Sequence, residues 1–289
     1  LISAIFRGIG DSRSPLAFVA IACVVNIIGD LFLVAGLHMN VTGAAIATVA
    51  AQAVSVLLSV FIIKKKKLPF GFSKKDIKFG PEIAKFVKIG TPLALQDFLT
   101  SISFLALNAF INRLGLDASS GYGVAQKIQQ FVMMIPIALM QSMGPFVAQN
   151  VGAKKEKRAR SGMLCGMAIG CSVGVVVGLL IFFKGDLVSR LFSDDPAVIK
   201  RSFEFMRGFA PEAVVTSVLF SYMGYFNGHS KSFFVMAQGL MQSFLVRLPL
   251  SYVMSIQPDA TLTGIGLAAP TATVFGILLC FVYYKHMGK

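Results

Sequence analysis

Eight uninterrupted apolar segments, each about as long as a bilayer is thick, constrain this chain more than any other feature. They run from Pro15 to Ala35, Val41 to Ile63, Ile89 to Asn112, Ser119 to Ala148, Gly162 to Phe183, Phe209 to Asn227, Phe233 to Ser255 and Leu262 to Tyr284. A membrane-crossing helix needs about 20 mostly apolar residues, so these segments fit helices. They are too long for barrel strands and lack period-2 alternation. The expected fold class is therefore an all-α membrane protein, a polytopic helical bundle of about eight transmembrane helices. With 55% hydrophobic and only 14% charged residues, against about 25% charged in soluble domains, the composition excludes a soluble globular protein.

The net charge of +14 would suggest nucleic acid in a soluble chain, but its distribution has a simpler meaning. One alternate set of gaps between spans holds 19 Lys and Arg residues, the other holds 6, and only Lys127 and Arg247 lie inside spans. The positive-inside rule then puts both termini of this chain in the cytoplasm and leaves no need for a nucleic-acid partner. Cys23, Cys165, Cys171 and Cys280 all fall in apolar spans and read as packing residues. His38, His229 and His286 stand singly, with no second ligand at metal spacing. The first residues read as the end of an earlier hydrophobic helix, so the sequence is expected to be a piece of a longer protein.

Comparing the chain with itself reveals a repeat. Gly10-Asp11-Ser12-Arg13-Ser14 resembles Gly228-His229-Ser230-Lys231-Ser232 at an offset of 218, and Gly43, Ala47, Ala51, Ser55 and Ser59 match Gly264, Ala268, Ala272, Gly276 and Cys280 at an offset of 221. Each set puts a small residue at every fourth position, a stripe suited to close helix contact. A unit of about 220 residues with six spans implies a parallel repeat. Residues 1–63 are then the last two helices of a first lobe that is incomplete here, residues 64–88 a basic cytoplasmic linker, and residues 89–289 a complete six-helix second lobe. Within the linker, Glu82 to Lys88 reads as a short amphipathic stretch on the cytoplasmic surface.

Several segments in order resemble the multidrug and toxic compound extrusion (MATE) family. Arg7-Gly8-Ile9-Gly10-Asp11-Ser12, followed by Pro15, Asn26 and Asp30, looks like a turn and helix near the end of that family's first lobe, and Gly43-Ala44-Ala45-Ile46-Ala47-Thr48 like the next helix. Gly90-Thr91-Pro92-Leu93-Ala94-Leu95-Gln96 resembles the family's seventh helix, and Gly121-Tyr122-Gly123 with Val147-Ala148-Gln149-Asn150-Val151-Gly152-Ala153 its eighth. The resemblance implies a two-lobe transporter of the bacterial inner membrane. It would export organic cations or drugs by alternating access in exchange for H+ or Na+, with no cofactor. The alternative is a flippase for lipid-linked or polysaccharide substrates.

Charged side chains at bilayer depth cost at least about 2.5 kcal/mol each, so Asp30, Asp97, Lys127, Glu212 and Arg247 are the functional candidates. Asp97, Ser101, Asn108 and Asn112 share a helical face, as a cavity lining or as hydrogen-bonding partners of neighbouring helices. Glu212 follows Pro211. It can exchange protons or bind a cation, or it can be a solvated acid at a helix start. The resemblance aligns it with an acidic position of the second-lobe cation site, while Thr100 stands where some members carry a glutamate, which speaks against a two-carboxylate sodium site. Ion coupling is accordingly expected at Glu212 and Asp97. Substrate contacts are expected at Asn108, Lys127, Gln130, Met134 and Gln141, with Lys127 either pairing with an acid or snorkelling outward. Gly166, Gly170 and Gly174, part of a ladder from Gly162 to Gly178, are expected to pack helices. No Walker lysine, Ser/His dyad or paired aspartates appear, so the chain does not read as an enzyme.

Overall fold

A computed structural model describes residues 2–65 and 80–287, apart from the side chains of Pro81 and Glu82. Most of the linker expected over 64–88 lies outside the described residues. Those described are helical with no strand and divide into two compact units, Leu1–Phe79 and Gly80–Lys289.

The first unit consists of α1 (Ile2–Gly8), α2 (Arg13–Asp30) continued by a π-helical segment (Leu31–Gly36), and α3 (Asn40–Lys65). At the turn into α2, Gly10 takes a φ of 89°, and the Asp11 carboxylate accepts from the Ser14 N–H at 3.1 Å and its hydroxyl at 2.6 Å. Such a side-chain cap satisfies donors that the first helical turn leaves free. On α3 the repeated stripe is the packed face: Gly43, Ala47, Ala51 and Ser59 are buried, and a Cβ on Gly29 would stand 3.0 Å from that of Ala47. The other faces are apolar and open, with Leu16, Val49 and Leu57 about 70% exposed, as lipid-facing helices require.

The second unit contains α4 (Pro81–Asn112), α5 (Leu116–Gly152), α6 (Glu156–Ser189), α7 (Pro196–Phe209) and α8 (Glu212–Gly228). It continues with α9 (Ser232–Met241), a π-helical segment (Gln242–Arg247), α10 (Leu248–Ser255) and α11 (Leu262–Met287). Helix α8 is the centre, packing on α5, α6 and α11. One core gathers Tyr122, Phe205, Met206, Phe209 and Ile265, and a second gathers Val147, Met163, Tyr225, Phe226 and Val235. In α11 the stripe matched to α3 is again inward, with Ala268, Ala272, Gly276 and Cys280 buried. Below the second core, Glu156 ties the α8–α9 turn to α6. It accepts from the Tyr225 hydroxyl, lies 3.2 Å from His229 Nε2 and pairs with Arg160 at 3.6 Å.

Seven helices among the described residues are long and apolar enough to cross a membrane, where the sequence suggested eight. The difference falls on the segment expected over 209–227. Asp195 caps α7 through its side chain, accepting from the Ala197 N–H at 2.8 Å, and Pro196 occupies the first helical turn. These are start signals that the apolar periodicity overlooked. Helix α7 then ends at Phe209, and α8 begins anew after Pro211 with 17 residues. The stretch Glu82 to Lys88 forms the first turns of α4, which begins at Pro81. A proline at the first helical position starts a helix readily because its missing N–H would have no partner there.

Candidate functional site

The charges flagged by their cost in lipid separate in the structure. Asp30 ends α2 in the first unit. Glu212, Asp97 and Arg247 all line one cavity of about 500 Å³ inside the second unit. Helices α4, α5, α8, α9 with its π-helical continuation, and α11 wall it.

Glu212 is the first residue of α8, where the helix dipole favours an anion, yet it is not solvated: its exposure is 8%. The Thr216 hydroxyl, one turn on, donates to Glu212 Oε1 at 2.6 Å, and the Thr273 hydroxyl of α11 donates to the same oxygen at 2.8 Å. Thr273 in turn accepts from Gln242 Nε2 at 3.1 Å, and Gln242 Oε1 accepts from Gln238 Nε2 at 2.7 Å. One carboxylate oxygen is thus fixed by a chain of hydrogen bonds reaching three helical elements. The other, Oε2, is buried without a partner, as are Gln96 Oε1, Gln238 Oε1 and Arg247 Nε on the same cavity. Buried polar atoms are rarely left unpaired, and four around one cavity mark a place where water or the polar groups of a guest complete the set.

Two glycines make this packing sterically feasible. A Cβ on Gly239 would stand 2.7 Å from Gln96 Nε2, and one on Gly276 would meet Gln242 Oε1 at 2.5 Å. Arg247 closes another side: Nη2 donates to Ser103 Oγ at 2.6 Å, and the guanidinium lies 4.2 Å from the Phe104 ring centroid. Its place comes from the π-helical segment. In an α-helix a residue five positions on is rotated about 140° from the first. The wider π turn reduces that rotation, so Arg247 can share the cavity face with Gln242.

The remaining candidates lie elsewhere. Asn108 donates to the Phe104 carbonyl at 3.0 Å and Ser101 to the Asp97 carbonyl at 2.8 Å, while Asn112 Oδ1 accepts from the Ser119 hydroxyl of α5 at 2.6 Å, so beyond Asp97 the polar stripe of α4 bonds its own backbone and the start of α5. Lys127 is exposed, 5.9 Å from the Phe192 ring centroid. Met134 and Gln141 are exposed on α5. Gln130 borders an adjoining cavity of about 420 Å³ that shares Gln129, Met133 and Phe104 with the first. The glycines of α6 do meet neighbours: a Cβ on Gly166 would lie 2.6 Å from Met143 Cε, one on Gly170 2.7 Å from Ser217 Cβ, and one on Gly174 would overlap the Ala213 carbonyl oxygen. Sequence reading missed Gln96, Gln238, Gln242 and Thr273. The one signal for them was a pair of glutamines four apart in an otherwise apolar span.

The family profile described as MatE matches residues 92–253. Among curated proteins, the chain is 27% identical to the probable multidrug resistance protein YpnP of Bacillus subtilis over 99% of its own length and 63% of that protein's. It is 26% identical to the multidrug export protein MepA of Staphylococcus haemolyticus over 90% and 57%. The chain therefore spans less than two thirds of the length of these relatives. Among solved structures, the fold superimposes on the MATE transporter VcmN of Vibrio cholerae with a TM-score of 0.90 at 15% identity, covering 99% of this chain and 65% of that one.

Proposed function

Because the chain belongs to the MatE family, we propose that it acts in secondary active efflux, exporting organic cations or drugs in exchange for protons or sodium ions, with Glu212 as the coupling carboxylate. The observation that carries this reading is the buried Glu212 with one oxygen bound and the other free. A single free carboxylate oxygen in a buried position holds a proton, a sodium ion or an organic cation, one at a time. Exchange is the consequence of that competition: a cation occupies the ionised site from one side, the coupling ion displaces it on the other, and the ion gradient drives the cycle. Asp97, on the same cavity, supplies a second acid near the entering cation. Residues 1–63 read as two helices of one lobe and residues 89–289 as the other lobe, a reading supported by the matched small-residue faces of α3 and α11. The test is uptake of a fluorescent organic cation into proteoliposomes holding the full-length protein, under a proton gradient and, separately, a sodium gradient. Uptake driven by at least one of them is expected, and uptake indifferent to both overturns the reading.

The protein is a multi-pass membrane protein, and the same reading sets it in the bacterial inner membrane with both ends of this chain cytoplasmic. The asymmetry of 19 against 6 basic residues supports this orientation. In a background with the native cysteines replaced, Lys157→Cys is expected to resist a membrane-impermeant maleimide added to intact cells while Asp194→Cys is labelled. The opposite pattern would invert the topology.

A further inference from the structure

Two surface features of the second unit lie end to end. An apolar groove of about 220 Å³ runs along Val175, Leu179 and Phe182 of α6, with Pro211 and Val214 at the α7–α8 break as its other wall. A second pocket, of about 550 Å³, carries Asp186, Arg190, Asp194 and Lys200, with Phe203 of α7 in its wall. Between them stands Arg207, its guanidinium 5.2 Å from the Phe182 ring centroid and 5.6 Å from that of Phe203. We infer that this row of groove, cation and polar pocket binds one anionic glycerophospholipid, with an acyl chain in the groove, the phosphate on Arg207 and the headgroup in the pocket.

The order along α6 is that of a lipid in its leaflet. The basic turn of Lys157, Arg158 and Arg160 marks one membrane surface. From Gly162, at 1.5 Å per residue, Phe182 stands about 30 Å further on, the depth of a hydrocarbon core. Phe182 therefore marks the opposite boundary. The groove lies on its hydrocarbon side, whereas Asp186 and Arg190 follow the break in α6 at Lys184 (φ −131°, ψ 23°) into the headgroup layer.

Arg207 is exposed at that boundary. Among the described residues no carboxylate lies within 4.0 Å of it, and Glu204, the acid one turn before it on α7, is held by Arg201 at 2.9 Å. Phe203 is seated on α6, since a Cβ on Gly185 would stand 2.9 Å from its Cδ2. The two aromatic rings thus hold the planar guanidinium and leave its in-plane N–H donors for an acceptor. A phosphate accepts two such bonds in parallel. Arg207, Arg190 and Lys200 face Asp186 and Asp194, three bases against two acids, so a ligand with one net negative charge makes the site neutral. The carboxylates are acceptors only and suit the hydroxyls of a glycerol headgroup. A choline headgroup brings neither the net charge nor the donors.

The chain contains no tryptophan, so one introduced residue reports on its lipid neighbours. In the full-length protein, with any tryptophan outside these residues replaced by phenylalanine, Val176→Trp puts the reporter on the exposed position next to Val175. The protein is reconstituted in mixtures of phosphatidylglycerol and phosphatidylcholine with brominated chains on one lipid at a time, and tryptophan quenching gives the relative affinity of the two lipids there. A preference of at least about fivefold for phosphatidylglycerol is expected, and Arg207→Gln should reduce it below about twofold. That variant keeps its fold because an exposed guanidinium leaves no buried partner behind. Val24→Trp on α2, exposed and with no base within a turn of it, should also stay below about twofold. Equal affinity for the two lipids at Val176→Trp overturns the inference, as does a preference that survives Arg207→Gln or is equally strong at Val24→Trp.

Discussion

Gly174→Leu is expected to prevent accumulation of the folded chain. Position 174 faces the backbone of α8 and not a side chain that could swing away. Any Cβ there would overlap the Ala213 carbonyl oxygen, with the Ala213 carbonyl carbon at 2.9 Å and Val214 Cα at 3.0 Å. Helix α6 can admit it only by withdrawing from α8, and that withdrawal also opens the contacts of Gly170 with Ser217 and of Gly178 with the Ala210 carbonyl. Overpacking of a core typically costs about 1–3 kcal/mol when side chains can adjust. Two facing backbones cannot, so the cost here lies at or above the top of that range. Gly90→Ala is the control: nothing lies within 4 Å of its Cβ position, and alanine in a helix gains about 0.4–1 kcal/mol over glycine. The measurement is the yield of monodisperse protein on size exclusion and its melting temperature in detergent. Normal yield and melting of Gly174→Leu would show that α6 and α8 do not touch as described.

Glu212→Gln is expected to abolish gradient-driven exchange while leaving the protein folded. The amide keeps an oxygen to accept from Thr216 and Thr273, so the hydrogen bonds that anchor the start of α8 persist in neutral form. Losing the charge assistance of those bonds costs about 1 kcal/mol. That is a small change for a buried position, and the melting temperature should move little. What disappears is the site over which coupling ion and organic cation compete, so a gradient no longer performs work on the substrate. Initial uptake rates in proteoliposomes should fall to the level seen without a gradient, with Glu212→Asp retaining part of the rate. Undiminished proton- or sodium-driven uptake by Glu212→Gln would move the coupling role to Asp97 or away from this cavity.

Composition and local period carry part of this fold in full. Apolar segments of bilayer length specify membrane helices because backbone polar groups in lipid must be bonded within the segment. Four-residue spacing of small residues marks the faces of α3, α6 and α11 that come close to another helix, and an acid after a proline near one end of an apolar stretch marked Glu212. Those signals survive because each depends on one helix alone. Which polar groups meet is set by the packing of helices far apart in the chain. Thr273 reaches Glu212 across 61 positions of chain, and Ser103 reaches Arg247 across 144, distances over which no periodicity operates. Lys127, Met134 and Gln141 share a face of α5 that is exposed in this chain, while the opposite face packs on α7 and α8. Arg247 enters the cavity through a π-helical turn, a departure from the 3.6-residue period on which any reading of helix faces depends. Faces are written in the period of a helix; partners are set by how helices pack, and packing is where a local code loses its reach.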